Sequence, residues 1–115
     1  MKLNAIFAII CIALFSSCVQ KADIAKEKQA IIAADNTFSS LSEKIGVHKA
    51  FIQTIDSSCV LLRANHKPIV GTNAIIELYK KDDDSQYSLV WTPLSAEVAT
   101  SGDLGFTYGT YELNF

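Results

Sequence analysis

Between residues 24 and 45 the apolar side chains fall at Ile24, Ile31, Ala34, Phe38, Leu41 and Ile45, with Ile32 beside them. Spacings of 7, 3, 4, 3 and 4 trace one face of an α-helix. Lys26, Glu27, Lys28, Asn36, Ser40, Glu43 and Lys44 lie off that stripe, and Gly46 is a natural stop. A helix this long with one apolar side must cover a surface supplied by the rest of the chain.

The remaining sequence supplies two short helices and then strands. Val47–Ile55 reads as a second helix with Val47, Ala50, Phe51 and Ile55 on its apolar face, broken by Asp56-Ser57-Ser58. Cys59–Leu62 is a run of apolar β-formers expected to be a buried strand, Arg63–Pro68 a turn, and Ile69-Val70 a short β-arm. Thr72 is the expected N-cap of a third helix carrying Ala74, Ile75, Leu78 and Tyr79. Lys80 and Lys81 suit the negative end of that helix, and Asp82–Ser85 is a polar loop.

Tyr87–Thr92 reads as a strand ended by Pro93, Leu94–Thr100 as a second, and Leu104–Phe115 as a third after the turn Ser101-Gly102-Asp103. Leu104, Phe106 and Tyr108 share one face of the last strand; Gly105, Thr107, Gly109 and Tyr111 share the other. Helices followed by an antiparallel meander define an α+β chain in which a curved sheet wraps the first helix.

Half of the 115 residues are apolar and 19% are charged, a composition that folds. The net charge of −2 is dispersed, with no Lys/Arg cluster to hold phosphates, so nucleic acid is not an expected partner. At the N-terminus, Lys2 precedes the apolar run Ala5–Phe15, only 11 residues long. A membrane-spanning helix needs about 20, and a signal-peptide core fits this length.

Phe15-Ser16-Ser17-Cys18 follows and resembles the lipobox of bacterial lipoproteins, with Phe15 where that family usually has Leu. The resemblance implies cleavage before Cys18 and a lipid on its thiol, hence a membrane partner at the cell envelope. An ordinary signal peptide cut after Ser17, or a buried helix, is the alternative. Residues 1–17 are then the leader, 18–22 a tether and 23–115 the domain. The domain and tether keep 9 of the 10 basic groups and all 12 acids, since only Lys2 leaves. With Cys11 removed and Cys18 lipidated, Cys59 has no disulfide partner and reads as a small buried hydrophobe.

The element order resembles the nuclear transport factor 2-like (SnoaL-like) cone. Within that superfamily, Gly46–Ile75 is similar to the domain of unknown function 4440 group in its Ala50-Phe51 helix, Cys59–Arg63 strand and Pro68–Gly71 turn. Val90–Glu112 is similar in its Trp91-Thr92-Pro93 strand and its hairpin from Ser101 to Gly109, with Phe106 where Tyr is common. The resemblance covers residues 23–115. It implies a cone of curved sheet closed by helices, an apolar cavity, and at least one further strand after Phe115, so that the sheet is expected to be incomplete.

The residues expected to line the cavity are Phe38, Phe51, Trp91, Phe106, Tyr108 and Tyr111, each of which could equally be plain core. Tyr and Trp carry polar ends that seek partners when buried. Ketosteroid isomerase has the same fold and needs an Asp base and an oxyanion donor. Asp35 and Tyr108 are the candidate pair here, with Asp56 a less suitable base at the end of the second helix.

His48 and His66 read as surface histidines, and Asp82–Asp84 lacks the spacing of a Ca²⁺ loop, so no metal site is expected. Arg63 is expected to pair with a carboxylate. Hydrolase, P-loop and dinucleotide fingerprints are absent from the sequence, and no cofactor is expected. The reading is a cavity that binds a small apolar molecule; a cofactor-free enzyme and a homodimerising module are the alternatives.

Overall fold

The computed structural model describes residues 22–115. The expectations for the leader and for Cys18 lie outside the described residues. The chain is α+β: a long helix, two short helices and two small antiparallel sheets.

Helix α1 (Ile24–Ile45) starts at Asp23, whose carboxylate accepts from the Lys26 amide at 3.2 Å. It ends at Gly46, which has φ +89° and donates its N–H to the Ser42 carbonyl. A side chain at Gly46 would be strained at that φ and would also press on the Asp84 carboxylate 3.0 Å away. The chain turns there directly into α2 (Val47–Thr54). Among the described residues no helix is long and apolar enough to cross a membrane.

Strands β1 (Val60–Leu61) and β2 (Ile69–Val70) pair antiparallel as a small separate arm, with Val60 opposite Val70 and Leu61 opposite Ile69. The expected buried strand is therefore corrected: Val60 and Leu62 are exposed, because a two-residue ladder has nothing stacked on its outer side. Helix α3 (Thr72–Tyr79) is capped by Gly71 rather than Thr72. The Thr72 hydroxyl instead donates to the Asp56 carbonyl, tying α3 to the end of α2.

The expected three-strand meander is also corrected. Strand β3 (Ser88–Val98) runs straight through Pro93 and pairs with β4 (Gly105–Asn114) in one long hairpin. The register slips by one residue between Pro93 and Ser95, a β-bulge. Gly109 lies opposite it, and a Cβ there would overlap the Thr92 carbonyl oxygen and come within 2.9 Å of Pro93 Cα. Only glycine lets the two backbones approach so closely.

Pro93 is tolerated because the edge it faces is not the one that bonds β4. Two residues earlier, the Trp91 amide points away from β4 and donates to Ser39 Oγ on α1 at 2.8 Å. Ser42 Oγ donates to the Leu89 carbonyl on the same edge at 2.7 Å. Ser39 and Ser42 are the buried side chains of α1, so the helix binds the outer edge of β3 through hydroxyls as well as through its apolar stripe. Val47, Ala50, Ile75 and Ala96 are the buried apolar side chains.

Candidate functional site

Asp35 projects from α1 toward the inner face of the hairpin. Its Oδ1 accepts from the Trp91 indole N–H and its Oδ2 from the Thr107 hydroxyl, each at 2.6 Å. The placement follows from strand alternation. Trp91 and Tyr111 are cross-strand partners, as are Ala96 and Thr107, and the buried side chain of Ala96 marks the helix-facing side. Two neutral donors on two strands thus fix the orientation of one carboxylate. Each carboxylate oxygen keeps acceptor capacity for a further donor.

Three rings stand beside it. Phe38 meets Trp91 edge-to-face at 4.7 Å and 83°, and meets Phe51 at 4.8 Å and 70°. Together with Asp35, Leu89 and Tyr111 they line a cleft of about 410 Å³. A second cleft of about 300 Å³ shares Asp35, Trp91 and Tyr111 with the first and is bordered further by Pro93, Thr107 and Tyr108. Asp35 therefore sits between two adjoining hollows, the larger of which is walled by aromatic and aliphatic side chains.

Of the residues proposed from sequence, Asp35, Phe38, Phe51, Trp91 and Tyr111 are brought together. Phe106 is not: it precedes Thr107 in β4, alternates to the other face and is 60% exposed. Tyr108 also alternates away from Thr107 and is 57% exposed, and it borders only the second cleft. The group that meets Asp35 is Thr107, which carries no motif that would have marked it. Asp56 closes a turn, accepting from both the amide and the hydroxyl of Ser58, and these bonds hold its carboxyl below the usual value of 3.8.

The two histidines part company. His66 is exposed in the turn after β1, whereas His48 is buried, correcting the surface reading. Its ring stacks on Tyr79 at 4.0 Å and 10°. Nδ1 lies 3.7 Å from Asp84 and Nε2 lies 3.7 Å from Asp82. The carboxylates face opposite edges of the ring and so cannot converge with it on one ion, and no metal-ligating cluster occurs among the described residues.

Asp84 also accepts from the His48 amide at 2.8 Å, which caps the start of α2. Asp82 is paired with Arg63 at 3.1 Å. Burial pushes the Tyr79 hydroxyl above its ordinary value of 10.0. These residues fasten the Asp82–Asp84 loop to α2 and α3.

No protein family, no curated protein and no solved structure matches the chain.

Proposed function

We propose that this domain binds a small apolar molecule in the cleft between α1 and the β3–β4 hairpin. The observation that carries the reading is the grouping of one hydrogen-bonded carboxylate, Asp35, with Phe38, Phe51, Leu89, Trp91 and Tyr111 along an open apolar cleft. A hollow of this size, apolar but for a single oriented polar group, is the usual character of a ligand site. The architecture we infer is a nuclear transport factor 2-like cone of the domain of unknown function 4440 group, supported by a long helix lying under a bent antiparallel hairpin. The Phe15–Cys18 motif supports a lipoprotein held at a bacterial envelope membrane by a lipid on Cys18.

Binding is favoured over isomerase-type catalysis. A base such as Asp35 would need an acid held opposite it; Tyr108 borders the smaller cleft with Asp35 but is 57% exposed, and the groups bonded to Asp35 are Trp91 and Thr107 instead. A second reading, pairing of two copies through the sheet, is favoured by the exposed Leu104, Phe106 and Tyr108. Light scattering that shows only monomer at micromolar concentration would remove it.

The test of the binding reading is a titration of the protein with N-phenyl-1-naphthylamine, a neutral apolar fluorophore. Saturable emission excited through Trp91, the only tryptophan, is the expected result. Emission that rises without saturating would refute it.

A further inference from the structure

We propose that the ligand of this cleft is an apolar organic cation, an aryl or alkyl ammonium, rather than a neutral hydrocarbon. The inference rests on the binding reading above and deepens it.

Its starting point is a charge without a counter-charge. Among the described residues, Asp35 takes part in no ion pair. Both groups that bond it, the Trp91 indole and the Thr107 hydroxyl, are neutral. Lys28, on the same helix, is engaged instead with Glu97 at 2.7 Å. A part-buried carboxylate in an apolar hollow loses hydration that neutral donors replace only in part. A cation entering the cleft would complete that replacement, whereas a neutral apolar body gains from the apolar walls alone and offers the carboxylate no partner.

The walls favour the same class. Phe38 stands nearly perpendicular to Trp91 and steeply inclined to Phe51, so the rings do not lie in one plane but turn edges and faces at several angles around the cleft. Tyr111 adds a fourth aromatic side chain to the lining. Ring faces attract ammonium groups, and cages of several aromatics are a common means of holding quaternary ammonium. The ring quadrupoles and the carboxylate therefore act in the same sense. An anion would be repelled by both, and no lining residue of this cleft carries a positive charge to offset that.

The test compares two probes of equal shape on the full chain, followed by Trp91 fluorescence. Benzyltrimethylammonium is the cation, and neopentylbenzene replaces its nitrogen with carbon. The expected result is at least tenfold tighter binding of the cation, equivalent to about 1.4 kcal/mol. In Asp35→Asn that preference should fall to within twofold. Asn can still accept from the Trp91 indole and donate to the Thr107 hydroxyl, so the fold keeps both bonds.

Equal or tighter binding of neopentylbenzene by the wild-type chain overturns the cation inference and leaves the apolar-ligand reading standing. This comparison needs no variant to fold. If benzyltrimethylammonium, neopentylbenzene and N-phenyl-1-naphthylamine all fail to bind, both readings are overturned. A cation preference that survives intact in Asp35→Asn refutes the role given to the carboxylate.

Discussion

Replacing Ser39 by alanine should weaken the domain, although the serine sits in mid-helix where alanine is the better helix former. The Ser39 hydroxyl is buried and accepts from the Trp91 amide on the free edge of β3. Without it, that amide has no partner in a junction closed by α1. An unmet buried donor costs about 1–3 kcal/mol. The gain in helix propensity from Ser to Ala returns roughly 0.5 kcal/mol.

The net loss is then about 0.5–2.5 kcal/mol. For a domain of this size each kcal/mol moves the melting temperature by roughly 4–8 °C, so the expected fall is about 2–20 °C. Thermal unfolding followed by circular dichroism measures it, and the near-ultraviolet signal of Trp91 reports the junction itself. Ser40→Ala is the internal control: Ser40 is exposed and off the junction, and its variant should melt at or slightly above wild type. If Ser39→Ala also melts at or above wild type, the helix does not hold the strand edge through its hydroxyls.

Other variants probe separate parts of the structure. Gly109→Ala should disrupt the hairpin, because its methyl would run into the Thr92 carbonyl and Pro93. A loss above about 2 kcal/mol is expected from such overpacking, read by chemical denaturation, and a loss below 0.5 kcal/mol would rule out the close approach. Asp56 contributes to the acid limb of stability. Its folded value is lowered by Ser58, so its contribution is in place above the unfolded value and fades as the pH falls through the folded one. Asp56→Asn should therefore flatten the stability–pH curve below about pH 4; an unchanged slope would contradict this. For the anchor, Cys18→Ser should move the protein from the membrane fraction to the soluble fraction, and retention in membranes would contradict the lipid assignment.

The helices were legible because their information is local. The stripe from Ile24 to Ile45 and the glycine after it mark α1 without reference to anything else. Asp35 could be singled out because a carboxylate beside an apolar stripe is conspicuous. Ser39 and Ser42 could not, since their partners lie 52 and 47 residues away and a polar side chain in a helix ordinarily indicates the solvent side.

Pro93 misled for a related reason. Proline ends a strand only if the missing N–H is needed for pairing, and which edge it faces depends on where α1 lies. His48 is buried by Tyr79, Asp82 and Asp84, which the chain supplies only at the end of α3 and in the loop after it. Thr107 acquires meaning only once Asp35 is opposite it, 72 residues earlier.

The most direct test of the cleft is the indole N–H resonance of Trp91 in a ¹⁵N-correlated NMR spectrum. The chain has a single tryptophan, and its indole N–H is the group bonded to Asp35 at the wall of the hollow. On addition of N-phenyl-1-naphthylamine the resonance should shift along one line and saturate at one equivalent per site. If the probe binds and the indole resonance does not move, the ligand sits elsewhere and the account of this cleft is wrong.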